Sequence, residues 1–206
     1  MPQPCAESAL DLLDWKRRIF ALYEEVRRTG DAEAGWRHWR DTREELYRMH
    51  PQSPVPLERR ADYRGACFAY DPAYRVVAEI ADAEPQPTPL PASTGGTFAF
   101  SRLAVARFTF GGQDHELELY WNEGYGGGLL LVIADATSGD ETYGGGRYVL
   151  DTVKGADLGG DAGRLILDFN FAYNPSCAFD PRWSCPLAPS ANRLPLRLAV
   201  GERMPA

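Results

Sequence analysis

Between Thr97 and Val200 apolar side chains recur at every second position, and glycine-rich turns cut that alternation into short segments. A period of two puts successive side chains on opposite faces of a strand, so this part of the chain hides its apolar side by forming sheet. Residues 98–110 and 115–123 read as strands joined by Gly111-Gly112-Gln113-Asp114, a hairpin signal. On the second of them His115, Leu117, Leu119 and Trp121 share one face, and Glu116, Glu118 and Tyr120 the other. A flexible glycine run, 124–128, leads into the apolar strand 129–134, and Thr137-Ser138-Gly139-Asp140 turns the chain into a strand over 141–153. A polar loop, 154–163, precedes a strand over 164–171, and a last strand, 194–200, points Leu194, Leu196, Leu198 and Val200 inward. Upstream, Tyr74, Val76, Ala78 and Ile80 alternate as one face of a further strand.

The first fifty residues have another period. Leu12, Trp15, Ile19, Leu22 and Val26 fall three or four apart, predicting an amphipathic helix over 6–29 with Glu24 and Arg28 as a supporting pair. Gly30 stops it, and Asp31 is placed to cap a second helix over 32–49 with Trp36, Trp39, Arg43 and Leu46 on its stripe. Pro51 forbids continuation, and residues 50–57 form a proline-rich turn. A second proline-punctuated stretch, with Pro85, Pro87, Pro89 and Pro91, reads as an irregular surface crossing.

Helices at one end and antiparallel strands in the rest define an α+β protein, with N-terminal helices packed on a barrel-like or half-barrel sheet of about seven strands. One domain over 1–206 is expected, helical in 1–50 and β-rich in 70–202, a length that can bury roughly 70% of the unfolded surface. The net charge of −7 argues against nucleic acid as a partner. The longest apolar run, 129–134, is far too short to span a membrane, and Met1-Pro2-Gln3-Pro4 has no leader character. Four cysteines without secretory features predict a cytoplasmic protein with reduced thiols.

Familiar catalytic signatures are absent: no C-x-x-C, H-E-x-x-H, G-x-S-x-G or Walker loop occurs, and three histidines make a histidine-rich metal centre improbable. Two stretches concentrate the chemistry instead. In Tyr143-Gly144-Gly145-Gly146-Arg147-Tyr148 the glycine triplet marks a bulge or the close approach of a backbone or ligand. An undisturbed pleat there aims Tyr143, Arg147 and Asp151 the same way. Arg147 then either grips an anion bidentately or pairs internally with Asp168 or another acid. From Arg164 to Arg193 a strand gives way to a loop dense in Asp, Asn, Tyr and Cys, with Asp168 and Asn170 on one surface and Tyr173 and Asn174 following. Cys177 and Cys185, seven residues apart, fit no common zinc module. They read as buried thiols, as a reversible disulfide or metal pair, or as a nucleophile, for which His115 is the one base in the β-rich part. Asp135 and Asp168 are candidates for acid–base work.

Three stretches, HPQSPV (50–55), TSGDETYGGGRY (137–148) and DFNFAYNPSCAFDPRWSCPLAPSANRL (168–194), closely resemble a bacterial and archaeal family, domain of unknown function 1684. The resemblance runs from about Trp36 to Glu202; it implies one domain and supplies no activity, cofactor or catalytic residue.

The expected site is a pocket for a small polar or anionic ligand, built from Tyr143, Arg147, Asp168, Asn170, Tyr173, Asn174, Cys177 and Cys185. No metal is assigned to it, and its cofactor, if any, and the oligomeric state are undetermined. An enzyme using the same pocket, a hydrolase among the options, and an interaction module exposing Trp183, Phe179 and Leu187 are the alternatives.

Overall fold

The computed structural model describes residues 5–161 and 163–205; residues 1–4, on which the expected absence of a leader rests, lie outside them. Helix α1 (Ala6–Arg28) and helix α2 (Ala32–Met49) form where the three-and-four spacing places them. The Asp31 side chain accepts from the amides of Glu33 and Ala34, satisfying two donors at the start of α2. Trp36, Trp39, Arg43, Leu46 and Tyr47 make up its buried stripe, the arginine included.

Seven strands form one antiparallel half-barrel: β1 (Arg75–Pro87), β4 (Phe100–Phe110), β5 (Gln113–Asn122), β6 (Leu129–Ile133), β7 (Arg147–Asp151), β8 (Gly160–Asp161) and β9 (Arg164–Asp168). Their order across the sheet is β7-β6-β5-β4-β1-β9-β8, and β2 (Leu90–Pro91) with β3 (Thr97–Phe98) makes a small separate ribbon. Register shifts with extra residues on β1, β4 and β7 bend the strands, and the sheet curls until β7 comes back within reach of β9. Inside the curl lie Ala106, Leu117, Leu131, Ile133, Leu167 and Val200; the other face packs Tyr120, Val132, Tyr148 and Phe171 against the helices. Strand β6 lies between both cores, which is why its sequence is apolar without alternation.

The expected strands differ from the observed ones in four places, each for a local reason. Residues 141–146 make turns, because Gly146 takes a left-handed φ of 97° and its α-carbon lies against the Ile133 carbonyl, where a Cβ would come within 2.5 Å. Strand β9 stops at Asp168, whose carboxylate accepts from the Asn170 amide and starts a 3₁₀ turn over Phe169–Phe171. The segment 194–200 buries Leu194, Leu198 and Val200 as expected but is not a strand. Pro195 lacks a donor, and the amide of Leu198 and the carbonyls of Leu198 and Val200 bond to the side chains of Asp135 and Arg147. Conversely, Pro85 and Pro87 lie within β1, past Glu79, where β9 no longer pairs with it and a missing N–H is tolerated.

Candidate functional site

The pocket expected from the sequence does not assemble as a unit. Arg147 opens β7 and turns into the interior, where its side chain is 1% exposed. Its Nη2 donates to Asp135 Oδ2 at 2.8 Å and to the Leu198 carbonyl at 3.1 Å, while Nη1 donates to the carbonyls of Val200 and Glu202. Asp135 is satisfied in turn by the amide and hydroxyl of Thr137 and by the Leu198 amide. Arg147 thus pairs internally with Asp135 rather than Asp168, and the pair ties the C-terminal segment to the end of β6. Burial lowers the Arg147 pKa, and Asp135 partly restores it.

Asp168 and Asn170 have separate employment. Asn170 Nδ2 donates to Asp168 Oδ1 at 2.8 Å and to the Asp71 carbonyl, its Oδ1 accepts from the Asp71 amide, and Tyr70 donates to Asp168 Oδ2 at 3.2 Å. The pair clamps the turn that enters β1. Burial raises the Asp168 pKa against the pull of Asn170. Neither residue shares a partner with Arg147. The glycine triplet is also explained without a ligand: a Cβ at Gly145 would strike the ring of Tyr143 and Leu187, so the approach is that of the chain itself.

The remaining expected residues do converge, around a cleft of roughly 280 Å³ between α1, α2 and the cysteine loop. That is just under the range of about 300–1,000 Å³ usual for small-molecule sites. A second hollow of roughly 190 Å³ adjoins it and shares Val153, Lys154, Ser184 and Cys185. Tyr173, Asn174 and Cys185 line the main cleft, and Cys177, which does not line it, follows the lining residue Ser176 in the chain. Tyr173 is held by an antiparallel bridge to Tyr148 on the outer edge of β7, and its hydroxyl donates to Asp151 at 3.3 Å.

The residue that sequence reasoning left out of the site is Arg43. It lies on the stripe of α2, with its guanidinium carbon 4.9, 4.8 and 4.6 Å from the ring centres of Trp39, Tyr47 and Tyr173. Nε and Nη2 donate to Glu202 Oε1 at 3.0 and 2.8 Å, and Nη2 also to the Tyr47 hydroxyl. Nη1 has no acceptor among the described residues, and Arg43 lines the cleft. Burial pulls the Arg43 pKa down, but Glu202, Tyr47 and Tyr23 outweigh it and hold the group above its ordinary value. Burial likewise pushes the Tyr23 hydroxyl up to about 12, so the phenol stays neutral beside the cation. The signal was available: an arginine where the period demands an apolar side chain.

Other lining groups carry unused polar atoms. Asn174 Oδ1 and Trp183 Nε1 are buried and without a hydrogen-bond partner among the described residues. Lys16 and Lys154 add two cations, the second paired at 3.1 Å with Asp151, which lines the adjoining hollow, and among the described residues no Asp or Glu lines the main cleft. Among the described residues no three His, Cys, Asp or Glu side chains come together as a metal site, and no helix is long and apolar enough to cross a membrane. His115 lies between Phe108 and Phe110 on β5 and bonds to neither thiol, so it is no base for Cys177 or Cys185. Of the three residues expected on the surface of an interaction module, Phe179 is buried against Tyr47 and Tyr63, and Trp183 and Leu187 are half-buried.

An α+β half-barrel with a basic, aromatic-walled cleft under its helices is the class of protein defined by this geometry. Residues 62–203 match the family described as Protein of unknown function (DUF1684), and the chain belongs to that family. The match starts after α2 and leaves HPQSPV outside it. The chain is similar to the solution NMR structure of the uncharacterized protein from gene locus rrnAC0354 of Haloarcula marismortui. The two are 32% identical with a TM-score of 0.60, over 83% of this chain and 93% of that one. No curated protein matches.

Proposed function

We propose that the protein binds a small amphipathic anion, an apolar body ending in a carboxylate or comparable acidic group, in the cleft between α1, α2 and the cysteine loop. One observation carries this reading. In a chain of net charge −7, an apolar cleft is lined by three cations and, among the described residues, by no carboxylate. Lys16 has no ion-pair partner among those residues, while Arg43 is paired with Glu202 and Lys154 with Asp151, neither of which lines the cleft. Like-signed groups in low-dielectric walls concentrate the opposite charge, and a guanidinium nitrogen without an acceptor is a donor ready for it. Leu12 and Trp15, on the stripe of α1 but only partly covered, supply the apolar wall. The DFNFAYN motif contributes to this reading through Tyr173 and Asn174; the YGGGRY motif contributes by fixing the fold through Arg147. The proposal sets the protein in the cytoplasm, where lasting structural disulfides are rare and its four cysteines rest as free thiols.

The test is displacement of a bound fluorescent naphthalene sulfonate from the native protein by decanoate, decanol and decylamine. Decanoate is expected to displace it at concentrations at least tenfold below decanol, with decylamine weakest. Equal potency of the three would mean a merely greasy cleft and end the anion reading.

A further inference from the structure

Cys177 and Cys185 stand apart from the other two cysteines. The Cys177 amide donates to Cys185 Sγ at 3.4 Å, and the Tyr143 hydroxyl lies 3.5 Å from Cys177 Sγ. Cys185 is fixed from both sides: its amide donates to Ser93 Oγ at 3.0 Å, and its carbonyl accepts from the Ser93 amide at 3.0 Å. The loop carrying both sulfurs is pinned further along by the Leu187 amide on the Pro91 carbonyl and the Ala188 amide on the Gly145 carbonyl. Two thiols are thus held together on a tethered loop, Cys177 half-buried and Cys185 in the wall of the cleft.

We propose that Cys177 and Cys185 form a thiol–disulfide exchange centre, with Cys177 the attacking thiolate and Cys185 the resolving thiol, and a low-molecular-weight disulfide as oxidant. The Cys177 thiolate attacks one sulfur of R–S–S–R, making a Cys177–S–S–R mixed disulfide and expelling R–S⁻, which takes up a proton. Cys185 then gives up its proton and attacks Cys177 Sγ, closing the protein disulfide and expelling the second R–S⁻. Two protein thiols are oxidised, one small disulfide is reduced to two thiols, and no other reactant enters.

The surroundings divide the two roles. The Cys185 thiol, with the hydroxyls of Tyr143 and Ser93 assisting against burial, lowers the Cys177 pKa to about 6. The hydrogen bond to Cys177, joined by burial, pushes the Cys185 pKa far up. Once Cys177 is in the mixed disulfide its negative charge is gone, and with it the main influence that keeps Cys185 protonated. Cys67 shows the contrast: burial first, then Glu202, holds its pKa up at about 12, as expected of an inert thiol.

The experiment uses the full chain carrying Cys5→Ser and Cys67→Ser, incubated with oxidised glutathione and read by intact mass. Loss of two hydrogens without a lasting adduct is expected. Adding Cys185→Ser should trap one glutathione on Cys177, and Cys177→Ser should slow the reaction by at least tenfold. A stable adduct in the parent, or no reaction at all, overturns the proposal. Pulsed alkylation of the wild-type protein, read peptide by peptide, asks the same question without any variant that could misfold. Reaction at Cys177 should persist down to a half-maximal rate near pH 6, whereas an unperturbed thiol loses about tenfold per unit below its pKa of roughly 8.5. A Cys177 profile like that of an unperturbed thiol rules the centre out. The result does not depend on what occupies the cleft.

Discussion

Arg147 and Arg43 are both buried, and each meets a carboxylate at 2.8 Å, yet they sit in opposite kinds of surroundings. Around Arg147 the neighbours are backbone carbonyls, three of them from the C-terminal segment, and both terminal nitrogens are occupied. Around Arg43 the neighbours are aromatic faces, which attract a cation but accept no directed hydrogen bond in the plane of the guanidinium. One terminal nitrogen of Arg43 is therefore left without an acceptor on a cleft wall. What surrounds an ion pair, more than the pair itself, separates a clamp from a binding group.

The largest effect expected from that difference is on stability. Arg147→Met strands Asp135 as an unpaired buried charge and frees the C-terminal segment, so a loss of about 3–5 kcal/mol is expected in urea unfolding. Replacing both partners, Arg147→Met with Asp135→Leu, should recover a good part of it, because the stranded charge is gone. An unchanged unfolding midpoint for Arg147→Met would break the comparison outright. Next comes Gly146→Ala. Its φ of 97° and the Ile133 carbonyl 2.5 Å from the added carbon predict a loss of more than about 1 kcal/mol, again by urea unfolding, with anion affinity unchanged.

Arg43→Lys probes the other half. Lysine keeps the charge beside Glu202 but loses the planar fork and its spare nitrogen. Decanoate should bind about tenfold more weakly by calorimetry, equivalent to about 1.4 kcal/mol, while the melting temperature falls less than in Arg147→Met. Unaltered affinity would show that Arg43 serves only the fold.

These residues also show what could be read in advance. Both helices, the Asp31 cap, the alternating strands and the half-barrel follow from period and punctuation, because each reflects local geometry that a few neighbouring residues dictate. The site was harder. Tyr173, Asn174 and Cys185 were legible as a polar cluster following a strand, but their partners in the cleft come from α1 and α2, more than a hundred residues away. Arg147 was legible only as two alternatives, because an arginine after glycines looks the same in sequence whether it faces a ligand or an acid such as Asp135. Its partner was decided by a turn at Gly146 that reset which way β7 faces, and by a C-terminal segment whose carbonyls no residue pattern advertises. The off-pattern arginine on the stripe of α2 was the better clue, since a helix tolerates a buried charge only where something meets it.

The smallest expected effect isolates charge from architecture. Lys16 lies on the exposed side of α1 at the cleft and has no ion-pair partner among the described residues, so Lys16→Glu should leave stability within about 0.5 kcal/mol of wild type. It nevertheless converts one of three cations at the cleft into an anion. Decanoate affinity should drop several-fold at low ionic strength, and the drop should shrink as salt approaches 1 M, where the screening length is about 3 Å. Decanol, matched in chain length but uncharged, should bind Lys16→Glu and wild type alike. The salt dependence separates the two arginines' roles from a third possibility, in which the cleft takes hydrocarbon alone. If decanoate and decanol respond equally to Lys16→Glu, or if salt leaves the decanoate difference intact, the lysine acts through shape rather than field, and the basic rim is incidental to what the cleft accepts.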